Sequence, residues 1–389
     1  MSSIKLKHSG GNGVSIASPD TNPASDKTVK LPVANGTLLT TESSPSFRNF
    51  LYNGEMMINQ RGTTTTVNGY GGPDRWKTSV GQAAFTASKD SESPPGFNSS
   101  LKLDCTTAAT LSANNSIQIA QHLEGFDLQS LAAGTSSAKS LTLSFWVRSN
   151  KTGIFNTHIY QKDGGKLVSQ NTTISSANTW EKKTFTVSGN TADTIANDNT
   201  KSLTIEFWLD SGPDNKGGTI TDSWAASASN KYGQGITLNI GDHLDNEFYL
   251  SGVQLEIGEA ATDYEHRSYG DELARCRRYY CTYVGEDGNG NNEPFIAGFH
   301  RSATVLAAQI IYPVGMRTPP SIDATEASGY WYIGGTNTGN INGGFSITTN
   351  SNSHTMCWVY ATESGATVGQ GATLMGNNSA SYFALSAEL

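Results

Sequence analysis

Charge is scarce in this chain. Lys, Arg, Asp and Glu make up 15% of its 389 residues, and the formal balance is −8. No basic stripe exists to displace counterions, which excludes a nucleic-acid partner. The pairs Lys182-Lys183 and Arg277-Arg278 are short and read as solvated surface. Long apolar runs are missing too: nothing approaches the roughly 18 residues a spanning helix needs, so no membrane insertion is expected. The opening residues carry no apolar run, and no secretory signal is expected. The four cysteines (Cys105, Cys276, Cys281, Cys357) lack metal-ligand spacing. They are expected as free thiols of a protein assembled in a reducing cytoplasm, while the uncharged Thr- and Asn-rich surface suits use outside it.

Catalytic motifs are absent as well. There is no Gly-x-Ser-x-Gly elbow, no His-Glu-x-x-His, no phosphate loop and no solenoid repeat. Glu206, Asp210 and Glu256 supply carboxylates, but nothing brings two of them to the fixed separation that glycoside hydrolysis needs. No enzymatic activity is expected. Residues 287–293 (DGNGNNE) alternate oxygen donors yet lack the glycine and glutamate of an EF-hand, and read as a hairpin loop.

What the chain has is 41 glycines and an abundance of Ser, Thr and Asn, the usage of short strands joined by many turns. From 48 to 269 such strands recur, among them 55–59, 141–149, 154–162, 203–210, 236–240 and 248–256. Their number suits a two-sheet jelly roll. A long loop, 211–235, carries Trp224 and Tyr232; loops of that length are functional or packed on a neighbour. Residues 270–279 are the one convincing helix, with Leu273, Cys276 and Tyr280 on one face and Asp271 and Glu272 at its start. Strands after it, including 330–333 with its Tyr330-Trp331-Tyr332 run, make a second, smaller β-sandwich. Residues 1–47 hold few large apolar side chains and short extended stretches at 14–17, 28–31 and 37–40. That segment is expected to order by intertwining with copies of itself or docking on a larger body.

Two strands repeat one grammar: residues 141–149 (LTLSFWVRS) and 203–211 (LTIEFWLDS). Leu, Leu or Ile, Phe, and Val or Leu take alternate positions, the period of a strand with one buried face. The other parity carries Thr142, Ser144, Trp146 and Arg148 in the first, and Thr204, Glu206, Trp208 and Asp210 in the second. Aromatic planes among polar side chains suit pyranose rings, which stack while amides and carboxylates take the hydroxyls. With 154–162 in the same sheet, His158 and Tyr160 would join Trp146, Arg148, Glu206 and Trp208 on one glycan-binding side, and Trp224 and Tyr232 form a second candidate. The competing reading buries these rings under the 211–235 loop or against a sister chain.

Several stretches together resemble virion fibre and spike proteins of tailed, especially marine, bacteriophages: residues 4–16 (IKLKHSGGNGVSI), 30–32, 36–40, 48–62 (RNFLYNGEMMINQRG), 248–258 (FYLSGVQLEIG), 264–267, 272–280 (ELARCRRYY) and 312–321 (YPVGMRTPPS). The resemblance implies a homotrimer, a 1–47 segment anchored to other virion proteins, and a distal part facing the host. The 48–269 part also looks like a carbohydrate-binding-module jelly roll, through its Asn53-Gly54-Glu55 entry, Trp180 at a strand start and 248–255 as a last strand. Some such modules hold a structural calcium; Glu55 and Gln254 are the nearest matches, but the usual acidic residue of the last strand is missing, so Glu55 is a weak calcium candidate only.

The expectation is therefore an all-β, homotrimeric virion fibre or spike. Its parts are an anchoring segment (1–47), a jelly roll (48–269) and a helix-led β-sandwich tip (270–389), and it attaches to host surface glycans without catalysis. A structural or decorating virion protein is the main alternative, and a polysaccharide depolymerase the third.

Overall fold

The computed structural model describes residues 3–7, 13–17, 47–62, 64–65, 68–285, 289–335, 339–341 and 344–389. The chain divides into two compact units, Met1–Thr41 and Glu42–Leu389. In the first, Ser3–Lys7 pairs antiparallel with Gly13–Ala17. The extended stretches expected at 28–31 and 37–40 lie outside the described residues.

The second unit is all-β, with antiparallel sheets forming two sandwiches. In the first sandwich, one sheet of seven strands runs in the order Ala225–Ala226, Lys166–Ile174, Gly153–Gln161, Lys201–Ser211, Ser116–Glu124, Lys77–Val80 and Gly69–Tyr70. The facing sheet of six runs Glu181–Val187, Leu141–Ser149, Glu247–Ile257, Ser100–Thr107, Ala84–Asp90 and Thr64–Thr65. Alternation explains the packing. Leu141, Leu143, Phe145 and Val147 from one sheet, and Leu203, Ile205 and Phe207 from the other, are buried in one core. Phe145 touches Phe155 and Phe207, and Phe155 touches Phe248, each edge to face.

Two expected strands are not strands. Residues 55–59 form a compact turn in which the Asn53 amide bonds Ile58 N and O and Asp74 O. Residues 236–240 keep alternating buried Ile236, Leu238 and Ile240, but pack irregularly, with Thr237 and Leu238 both donating to Ile154 O.

The second sandwich packs Tyr280–Val284, Phe383–Ser386 and Ser321–Ala324 against a seven-stranded sheet in the order Gly339–Asn340, Trp331–Gly335, Gly371–Gly376, Pro294–Ser302, Val305–Ile311, Met356–Thr362 and Phe345–Asn352. Its core holds Trp331, Phe345 and Phe383, with ring centroids 5.0 Å apart for Trp331–Phe345 and for Phe345–Phe383.

The helix runs Tyr269–Arg277, capped by Ser268: its hydroxyl accepts from Asp271 N at 3.2 Å and donates to the Asp271 carboxylate at 2.6 Å. Cys276 and Tyr280 are buried and Leu273 half-buried. Glu272 is not a solvated dipole partner. It is buried, accepts Asn53 N and pairs with Arg267 at 3.3 Å, tying the helix to the first sandwich. The seam between the sandwiches is gripped by cations. Arg278 donates twice to Glu124 (2.8 and 2.7 Å), and buried Arg75 lies 3.4 Å from the Tyr279 ring centroid while pairing with Glu388.

Candidate functional site

The Phe-Trp strands face each other. Phe145 and Phe207 meet in the core at 4.9 Å between centroids, one from each sheet. Their neighbours Trp146 and Trp208, one residue on, must point away from the core and from each other. Gly153–Gln161 does pair with Lys201–Ser211, matching Asn156 with Trp208, His158 with Glu206 and Tyr160 with Thr204. Leu141–Ser149 lies in the other sheet, between Glu181–Val187 and Glu247–Ile257. The single six-residue surface expected from parity is therefore two surfaces, because sheet membership is set by non-local pairing that alternation does not encode.

On the seven-stranded side the 211–235 loop folds back as a cover. Tyr232 stacks on Trp208 at 4.9 Å and 17°, and His158 stands edge-on to both rings. His158 is fully buried, bonded through Nδ1 to Ser169 Oγ (2.8 Å) and through Nε2 to Tyr232 O (2.9 Å). Burial drives its pKa down to about 4, so the ring is neutral at pH 7. Trp208, only 8% exposed, donates its indole N–H to Glu206 at 2.9 Å. Burial raises the Glu206 carboxyl, against that bond and the Lys201 charge, and pushes the Tyr232 hydroxyl up to about 12. Asn156 clamps the loop by donating to Tyr232 O and Gln234 O. Tyr160 and the Glu206 residue as a whole keep some exposure, although the Glu206 carboxyl itself lies buried under the indole it accepts from. Trp224 also turns inward, packing on the core and donating to Ser188 O at 2.7 Å. This face is largely satisfied from within.

The six-stranded side is more open. Register places Arg148 beside Tyr249 and Tyr249 beside Lys102, with Trp146 between Lys182 and Ser251. The Arg148 guanidinium lies 5.0 Å from the Tyr249 ring centroid, and Trp180 meets that ring edge-on at 6.2 Å. Glu92 accepts the Trp180 N–H at 3.0 Å and sits 3.8 Å from Arg148 Nε. Lys102 pairs with Glu247 at 2.6 Å, and Glu247 also accepts the Tyr249 hydroxyl at 3.0 Å. Gly252, at φ 58°, lets Phe97 and Trp146 close in: a Cβ there would lie 2.7 Å from Phe97 Cζ and 3.0 Å from Trp146 Cδ1. Trp146, Arg148 and Trp180 are half-exposed over buried Tyr249.

Half-open aromatic edges ringed by a guanidinium, an ammonium and two carboxylates can stack an apolar ring face and bond its hydroxyls. Parity already put Tyr249 opposite the core, so the strand pattern could have found it. Trp180 ends a turn just before its strand, where no periodicity marks it.

Glu55 is 8% exposed, with its carboxyl raised by burial and paired to His266 Nδ1 at 3.1 Å. Gln254 is spent on Glu256 (2.9 Å) and on Glu265 N (2.8 Å). Among the described residues no group of three or more His, Cys, Asp or Glu is placed to hold a metal ion. Trp331 is fully buried and donates to Thr325 O, which leaves Tyr330 and Tyr332 as the half-exposed pair of that run.

No protein-family model and no curated protein matches the chain. Among solved structures it is similar to the enzymatically active domain of bacteriophage CBA120 tailspike protein 4, at 12% identity over 54% of this chain and 21% of that one, TM-score 0.29. It is also similar to a family 11 carbohydrate-binding module of a Clostridium thermocellum cellulase (13% identity, 53% of this chain and 98% of that one, TM-score 0.26). A carbohydrate-binding module solved in complex with beta-1,4-galactotriose matches comparably (12% identity, 54% and 99%, TM-score 0.26). The chain spans about a fifth of the tailspike domain's length (21%) and nearly all of both modules.

Proposed function

We propose that the protein is a glycan-binding fibre or spike component of a phage virion, acting outside the cell by attachment and not by catalysis. The observation that carries the binding reading is the contrast between the two outer faces. Trp208 is sealed by Tyr232, whereas Trp146, Trp180 and Arg148 stay half-exposed above the six-stranded sheet. A protein that needs only a packed sandwich has no use for aromatic edges kept half-open among Arg148, Glu92 and Lys102. The sealed face favours an architectural role for Trp208 and His158 within the same molecule.

In this reading three chains associate, residues 1–47 join other virion proteins, and several weak sites act together on a host surface. The test is a glycan panel and a host-cell binding measurement on the full chain, with light scattering to count chains. Binding that Trp146→Ala or Arg148→Ala lowers about tenfold supports the reading. Binding to no glycan and no cell favours a purely structural virion role, and release of reducing ends from a polysaccharide would make the protein a depolymerase.

A further inference from the structure

A β-bulge re-aims one carboxylate. Pairing of Lys201–Ser211 with Ser116–Glu124 matches Phe207 with Ile119 and Trp208 with Gln118, then slips by one residue to match Asp210 with Ile117. Strict alternation would set Asp210 beside Trp208 on the outer face. The extra residue, Leu209, turns it instead toward the side of Ile117, a core residue. Asp210 is 4% exposed there, and backbone holds it: its Oδ1 accepts Ser211 N at 2.7 Å and its Oδ2 accepts Gly241 N at 3.1 Å. A Cβ at Gly241 would lie 2.6 Å from Ile117 Cδ1 and 3.2 Å from Asp210 Oδ2, so the glycine lets its backbone N–H approach Asp210 without moving either side chain.

This carboxylate lines a cavity of about 320 Å3 together with Asp242, Lys216, Thr110, Leu111 and Pro213. Asp242 is steadied by Lys151 and by the Asn246 amide at 2.9 Å. The volume is at the small end of ligand sites, roughly 300–1,000 Å3, so it suits a ring or two and not a long chain. Carboxylates, an ammonium and a hydroxyl face the space beside apolar Leu111 and Pro213, the mixture a polyhydroxylated ring needs. An acidic sugar would set its own carboxylate against those of Asp210 and Asp242, and like charges repel.

We propose that this cavity binds the terminal residue of an uncharged glycan: Asp210 and Asp242 accept its hydroxyls, Lys216 donates, and Leu111 and Pro213 lie against its C–H face. The inference rests on the glycan-binding reading above and gives it a chain-end site distinct from the Trp146 platform. Thr110 is exposed at the rim, so Thr110→Trp fills the opening without disturbing the core.

The experiment titrates methyl glycosides of glucose, galactose, mannose and N-acetylglucosamine into the full chain, with glucuronic and N-acetylneuraminic acids as charged counterparts. Ligand-observed NMR reads the binding. At least one uncharged glycoside is expected to bind, with affinity at least tenfold lower in Thr110→Trp and within twofold of the parent in Ile311→Ala, an exposed position of the second sandwich. The proposal is overturned by no binding of any uncharged glycoside, by tighter binding of the acids, or by binding that survives Thr110→Trp. A chain that binds polysaccharide through Trp146 but no methyl glycoside keeps the platform and loses the cavity. The converse keeps the cavity and loses the platform.

Discussion

Phe145 and Phe207 meet edge to face at 4.9 Å and 72° in the middle of the first sandwich. That one contact fixes the direction of both tryptophans beside them, Trp146 outward through one sheet and Trp208 outward through the other. The two Phe-Trp strands are mirror partners across a core, not neighbours on a surface.

Removing either ring should unfold the sandwich long before it alters a surface. Both side chains are buried at 1% exposure or less, so Phe145→Ala and Phe207→Ala are each expected to cost roughly 3–5 kcal/mol. Urea denaturation followed by tryptophan fluorescence measures this, and a loss below about 1 kcal/mol would mean that the rings do not meet.

Trp208 should behave as a core residue and Trp146 as a surface one. Deleting the Trp208 indole removes the stack on Tyr232 and the bond to Glu206, so Trp208→Ala is expected to lose about 3 kcal/mol of stability. Limited proteolysis should then cut within 211–235, the loop that Trp208 holds down. Trp146→Ala should leave that loop protected.

Acid should weaken the same cover. His158 has a folded pKa of about 4 against an ordinary value of 6.5, the cause being burial. The unfolded chain therefore binds the extra proton between those values, and stability falls as pH drops. The contribution is complete above about pH 6.5 and lost as pH passes down through about 4, on the order of 3 kcal/mol in all. His122, lowered to about 2 by burial and by Lys201, Lys77 and Arg75, adds a loss of the same sign that continues to lower pH. Urea midpoints at pH 7.5 and 5 should differ less in His158→Gln than in the parent; equal differences would refute the assignment.

Thiol reagents should find nothing in the folded chain. Cys105, Cys276, Cys281 and Cys357 are buried and none forms a disulfide, and burial raises the thiols of Cys105, Cys276 and Cys357. Labelling with an aromatic disulfide is expected to be negligible in buffer and complete in denaturant. Rapid labelling of any one cysteine in buffer would contradict the packing.

Local pattern carried much of this fold. Leu141–Ser149 and Tyr280–Val284 are legible to the residue, the first because Leu141, Leu143, Phe145 and Val147 alternate with Thr142, Ser144, Trp146 and Arg148 in the sequence. Lys166–Ile174 is not legible: Leu167 and Val168 are both buried, one of them on the outer side where Ala225 pairs with Leu167, so no period of two survives. Residues 236–240 show the opposite failure, an alternating run whose Leu238 and Ile240 join the core from irregular backbone. The site divides the same way. Which residues are polar-facing was readable, but which sheet each strand joins was not, and the bulge that turns Asp210 inward leaves no mark in composition.

The most direct test of the account is glycan binding by the full chain compared with Trp146→Ala and Trp208→Ala, each at matched folded fraction. Trp146→Ala is expected to lower polysaccharide or host-cell binding about tenfold at unchanged stability, while folded Trp208→Ala keeps it. Undiminished binding in Trp146→Ala, or loss only in Trp208→Ala, would contradict it.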